Sequence, residues 1–158
     1  MFLVGKAYRF YRFLVSLSER FLSPLLDLAI RLWMGKIFFV SGWGKFANYL
    51  NGDWGSTVFL FKEVHPLPGV APEVAAVLGT GGEVVLPVLL ALGLAGRVAA
   101  AGLLVMTMII QFVVPSDYGL MNDMHYLWML LLAVPLIKGP GTLSLDHLLM
   151  KLVFKKRA

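Results

Sequence analysis

The sequence predicts an all-α fold: an integral membrane four-helix bundle with an amphipathic interfacial helix at its N-terminal and C-terminal ends. Three features carry that expectation. Hydrophobic residues make up 59% of the chain and charged residues only 15%, where a soluble domain has roughly 25% charged. The apolar residues fall into four runs, each approaching the about 20 residues that a spanning helix needs. The basic residues gather at the two chain ends, beside apolar segments. In 158 residues there is room for four spans and little else. The net charge of +5 placed at those ends fits an anionic membrane surface and not a nucleic-acid groove. Mean hydropathy is +0.80. With no cysteine, disulfides, thiolate metal sites, iron–sulfur clusters, thioether-linked haem and thiol–disulfide exchange are all excluded.

Taken in order, residues 1–23 form the first unit. Lys6, Arg9, Arg12 and Arg20 interrupt the apolar run, and no small-x-small site follows, so no cleavage is expected. At about 100° per residue these residues share an arc with Ser16 and Glu19, while the aromatic and aliphatic residues take the rest, which predicts a helix lying in the interface. Ser23-Pro24 reads as an N-cap followed by proline at the first helical position.

The membrane domain occupies 24–138. Span one runs from Pro24 to about Phe46, span two from about Pro72 to Leu94, span three from about Arg97 to Val114 and span four from about Asp123 to Ile137. Gly93 to Gly96 make the turn between spans two and three. Span four reaches only about 22 Å, short of a roughly 30 Å hydrocarbon core. The segment 47–71, with its "NGDWGS" and "HPLPG", is expected to be a non-helical outer loop and a docking place for a protein partner.

Basic residues set the orientation. Lys6, Arg9, Arg12 and Arg20 precede span one, Arg97 sits in the turn, and Lys138, Lys151, Lys155, Lys156 and Arg157 follow span four. The opposite side holds Lys45 and Lys62 among Asp53, Glu63, Glu73, Asp117 and Asp123. Both termini are therefore expected in the cytoplasm. Trp43, Trp54, Tyr118, Tyr126 and Trp128 would form an aromatic belt near the outer surface.

The tail is 139–158. Gly139, Pro140 and Gly141 break the helix, Ser144 caps a new one, and Asp146 lies in its positively polarised first turn. Leu145, Leu148, Leu149, Leu152 and Val153 then recur at helical spacing, giving a basic amphipathic helix on the inner leaflet.

Three stretches resemble one family. "RLWMGKIFFVSGWGKF" matches the Arg-x3-Gly-x2-Phe-x3-Gly-x2-Lys opening of DoxX-type proteins, "GTGGEVVLPVLLALGLAGRVAA" resembles their Glu-containing second span and its turn, and "GPGTLSLDHLL" is similar to their ending. Together they cover roughly residues 25 to 150. The resemblance implies a four-helix inner-membrane protein, with relatives linked to quinol oxidase or thiosulfate:quinone oxidoreductase activity. It also looks like members encoded beside small metal-binding peptides, which implies an accessory role.

Away from the span ends the ionisable residues are Arg31, Lys36 and Glu83, and Gln111 joins them as an intramembrane polar residue. Such groups face the bundle interior and find partners. Arg31 can pair with Asp27 one turn earlier. Counting rise per residue from the cytoplasmic ends puts Glu83 about 16 Å deep, Lys36 about 18 Å and Arg31 about 10 Å. Glu83 is expected to face span one and pair with Arg31, which shares the glycine face with Gly35 and Gly42, or with Lys36. His125 with Gln111 could line an outer cavity for a quinone headgroup or solute, against the plain reading of an interface histidine. Met121, Met124 and His125 offer a weak soft-metal set, and otherwise no metal site is expected. His65, His125 and His147 form no bis-histidine haem pair.

These features favour a non-catalytic subunit or scaffold beside a quinone-linked redox or metal-handling system, with the lipid bilayer and a protein at the outer loop or cytoplasmic face as partners. No covalently bound cofactor is expected, quinone stays open, and so does homo-oligomer formation. The alternatives are a small solute or proton carrier using Lys36, Glu83, Gln111 and His125, and a quinone-binding oxidoreductase subunit.

Overall fold

The computed structural model describes residues 2–115 and 121–155, and the side chains of 5–115 and 121–153. The expectations for Asp117, Tyr118, Lys156 and Arg157 fall outside the described residues. Within them all regular structure is helical.

The first two units join where a break was expected. Helix α1 (Phe2–Leu17) runs through a π-helical turn, Ser18–Leu22, into α2 (Ser23–Leu50). Leu22 and Ser23 are both helical (φ −73°, ψ −42° and φ −61°, ψ −48°), and no side chain caps α2. Ser23 is therefore not an N-cap. Pro24 has no N–H to give and its ring crowds the carbonyl one turn back. Widening that turn relieves the clash, and the Ser23 N–H bonds the Ser18 carbonyl five residues earlier.

At its other end α2 continues to Leu50, four residues past the expected stop, for a length of about 42 Å. Gly52, at φ +76°, turns the chain. A further helix, α3 (Trp54–Glu63), then occupies much of the stretch expected to be non-helical. Two local causes are visible. The Ser56 hydroxyl donates to the Asp53 carboxylate at 2.7 and 2.8 Å, and Thr57 and Phe61, four apart, bury one face. Phe61 packs on Ala75 and Ala76, and its ring sits so close to Gly79 that a Cβ there would lie 2.5 Å from Cζ.

Helix α4 (Pro72–Leu92) begins after an extended Ala71 and ends at Gly93, φ +66°. The Gly93 and Leu94 N–H groups return to the carbonyls of Leu90 and Leu89, the Schellman pattern that satisfies a helix's last acceptors. Helices α5 (Gly96–Phe112), α6 (Asp123–Lys138) and α7 (Leu145–Lys155) follow. The Asn122 side chain accepts from the Met124 N–H at 2.9 Å and caps α6.

Helix α2 packs on α4, α4 on α5, α5 on α6, and α6 back on α2, with α3 laid over α2 and α4. Antiparallel α2 and α4 approach most closely at Gly42, where a Cβ would stand 2.6 Å from the Glu83 carbonyl carbon. Pro87 removes the helical donor for that same carbonyl, which instead faces Gly42. The core joins Ile30, Met34, Phe38, Leu90, Ala99, Ala100, Leu103 and Leu132.

Polar side chains are buried beside this apolar core while many large apolar ones lie on the outside. Asp27, Arg31, Glu83, Gln111 and His125 are buried, whereas Leu78 (68% exposed), Leu130 (69%) and Ile137 (74%) point outward. Among the described residues α4 is the one helix long and apolar enough to cross a membrane, and α5 is apolar but shorter.

Candidate functional site

Two polar clusters lie within this apolar body. The first gathers at the α4–α5 turn. Arg31 is 1% exposed, and its guanidinium donates to the carbonyls of Leu90, Ala91 and Leu143. It thus closes the end of α4 and reaches the tail. Neither expected partner is engaged: Arg31 bonds neither Asp27 nor Glu83. Asp27 instead accepts from Lys138 of α6 at 2.9 Å. Carbonyl acceptors won because Gly93 lets the chain pass against Arg31; a Cβ on Gly93 would stand 2.5 Å from Nη1 and 2.5 Å from Ser144 Cβ.

The tail packs into this turn. Pro140 lies against Gly96, and Gly141, φ +80°, sits on the Asp27 carboxylate. Ser144 caps α7 as expected: its Oγ accepts from the His147 N–H and donates to the Gly141 carbonyl. Asp146 reaches beyond its own helix. Its carboxylate accepts from the Ala95 and Gly96 N–H groups at 2.8 and 2.9 Å, and its own N–H donates to the Gly93 carbonyl at 2.9 Å. It supplies α5 with an N-terminal acceptor and supports Ala95, held at a left-handed φ of 48°. This cluster is a clasp built from backbone acceptors and donors.

The second cluster lies near the other end of the helices. Glu83, buried on α4, pairs with Lys45 of α2, not with Arg31 or Lys36. Lys36 is exposed and stands in an outer groove with Leu32, Phe39 and Val88. The reason is register: the close approach at Gly42 sets Glu83 beside the C-terminal half of α2, and Lys45 is one turn further on the same face. Lys45 Nζ also donates to Ser41 Oγ at 2.9 Å and lies 5.8 Å from the Phe61 ring centre.

Both members of the pair, with His65, line a cavity of about 240 Å³ walled mostly by apolar side chains of α4 and α5 and the segment after α3. The His65 Nδ1 is buried without a hydrogen-bond partner among the described residues. Burial chiefly, and then the nearby Lys45 charge, push the His65 imidazole below its ordinary value of 6.5, against smaller raising effects from Glu83 and the Leu60 backbone. Its ring is accordingly neutral at neutral pH.

Gln111 and His125 do meet. His125 Nδ1 lies 2.7 Å from Gln111 Oε1, which also accepts from the Asn122 N–H at 3.2 Å. The contact ties the start of α6 to the end of α5, and neither residue lines the cavity just described. Met121 and Met124 are half exposed while His125 is buried. Among the described residues no group of three or more His, Asp or Glu is placed to hold a metal ion.

Lys45 and His65 are the polar cavity residues that sequence reasoning left out of the site. A usable signal existed for Lys45, three residues after Gly42 and therefore on the face that meets α4.

No match is found among curated proteins or among solved structures. The DoxX family model, however, matches residues 26–116, which contain Arg31, Gly42, Lys45, Glu83 and the Gly93 turn. That match spans more than half of the chain, which belongs to the DoxX family.

Proposed function

We propose that this protein is a four-span inner-membrane subunit, not catalytic by itself, that serves a quinone-linked redox or metal-handling system. Helices α2, α4, α5 and α6 are the spans, both termini are cytoplasmic, and α3 faces outward as the surface for a protein partner. Helix α6, 16 residues and about 24 Å long, is the short span and takes length from Asn122 and the Gly139 turn.

The observation that supports a subunit over a carrier is that the ionisable groups buried within the helices close on partners inside the fold. Arg31 meets carbonyls, Asp27 meets Lys138, Glu83 meets Lys45 and His125 meets Gln111. Closed pairs give rigidity, whereas a path for ions needs sites that exchange partners. The outward apolar surface of α4 and α6 supports membrane embedding.

Single cysteines at Asn51 and Lys151 in this cysteine-free chain test the topology, since an impermeant thiol reagent should label them from opposite sides. Labelling from one side defeats it. Flux of protons or small solutes by the purified chain in liposomes would overturn the subunit reading in favour of a carrier.

A further inference from the structure

The cavity beside Lys45, Glu83 and His65 has the shape and chemistry of a ligand site. Its volume of about 240 Å³ exceeds the roughly 150 Å³ in which an apolar cavity takes up benzene. A substituted ring therefore fits. Leu78 of α4, 68% exposed, stands on its rim, with Met106, Ile109 and Ile110 of α5 opposite. In a membrane-embedded chain that rim faces acyl chains.

The polar end is narrowly defined. Lys45 and Glu83 cancel one another's charge, and the His65 ring is neutral. A charged headgroup would bring an unpaired charge into this setting, which is strongly unfavourable. A ligand with no polar atom would leave the third ammonium hydrogen of Lys45, beyond those given to Ser41 and Glu83, without an acceptor. One hydroxyl or carbonyl meets both conditions. That Lys45 hydrogen is the donor for it.

We propose that this cavity binds an uncharged, lipid-soluble molecule with a ring-sized head bearing a hydroxyl or carbonyl, which enters from the bilayer between α4 and α5. The proposal rests on the membrane-embedded reading above and deepens it by naming the ligand's chemistry.

The test uses the full chain in lipid nanodiscs and three probes with the same tail: para-nonylphenol, nonylbenzene and para-nonylbenzoate. Wild type should bind the phenol saturably and more tightly than either other probe. Lys45→Met combined with Glu83→Gln, which removes the donor without leaving a lone charge, should reduce the preference for phenol over nonylbenzene by about 10-fold, the loss of one hydrogen bond at the low end of those to a charged group. Ile110→Trp, which fills the cavity from α5, should abolish saturable binding of all three and checks the site should the double variant fold poorly. The idea is overturned if nonylbenzene binds as tightly as the phenol, if the benzoate binds tightest, or if folded protein binds none of them. Cysteine labelling at Asn51 and Lys151 is read on the same samples. Phenol binding that persists in a chain with the wrong topology would support the ligand class and remove the four-span reading alone.

Discussion

Asp146→Ala separates a local helix start from a long-range clasp by magnitude. Were Asp146 merely an acidic residue in the first turn of α7, its loss would cost about 0.3 to 1 kcal/mol through the helix dipole. The structure gives its carboxylate two backbone donors on another element, Ala95 and Gly96 at 2.8 and 2.9 Å. A hydrogen bond to a charged group contributes about 1.5 to 3 kcal/mol, and the Ala95 contact, being exposed, belongs at the low end. The expected total is about 3 to 4.5 kcal/mol. Asp146→Asn keeps one acceptor oxygen and should lose about 1 to 2 kcal/mol. Ser144→Ala, which removes α7's own cap, is the control at about 0.5 to 2 kcal/mol. Unfolding in mixed micelles measures the free energies, and amide hydrogen exchange locates them. Faster exchange should follow at Ala95 and Gly96 in the Asp146 variants, and within α7 in the Ser144 variant. A cost below about 1 kcal/mol for Asp146→Ala, or exchange that rises only within α7, would refute the clasp.

Three further outcomes follow from particular contacts. Gly42→Ala should lose about 1 to 3 kcal/mol by forcing α2 from the Glu83 backbone, whereas Gly44→Ala, whose Cβ meets open space, should gain up to about 1 kcal/mol in the same unfolding assay. Glu83→Gln should lose about 3 to 5 kcal/mol by leaving Lys45 buried and unpaired, and Lys45→Met should restore part of it while Lys36→Met restores nothing. His65 has a folded-state value below its unfolded 6.5, so its contribution should be undiminished above that pH and fall as pH drops from about 6.5 toward the lowered value. His65→Leu should flatten that part of the stability–pH curve.

Much of this arrangement could be read before any coordinates. Pro72 and Gly93 mark the ends of α4 through a missing donor and a left-handed turn, and both hold within two residues of the expected bounds. Ser144 caps α7 because capping is local. What escaped is what depends on register between helices. Counting rise from assumed ends put Lys36 level with Glu83, but the contact at Gly42 is set by the shapes of two helices, and it hands Glu83 to Lys45. Asp146 shows the same limit: its first-turn position is visible in the sequence, yet its donors lie about fifty residues earlier, where no spacing rule points. Gln111 and His125 come together, though as a fastening between α5 and α6 and not on the wall of the cavity that the outer-cavity alternative called for. Helix α3 was hidden because Gly52 and Asp53 read as turn residues, and its buried pair, Thr57 and Phe61, is too short a pattern to outweigh them.

The widened turn at Ser18–Leu22 acts on the angular phase of the N-terminal segment. A π-bulge is one extra residue accommodated without breaking the rod, and one residue is worth about 100° of rotation. The stripe of Lys6, Arg9 and Arg12 on α1 is therefore turned by about 100° from where an unbroken α-helix would carry it relative to the glycine stripe of α2. Straightening this turn to regular α-helix without a deletion would leave every bundle contact in place and swing the basic stripe around the axis, whereas deleting one residue with it would hold the stripe where it is. The segment is thus a clocking element, letting the face that α1 offers its surroundings be reset independently of the packing of α2.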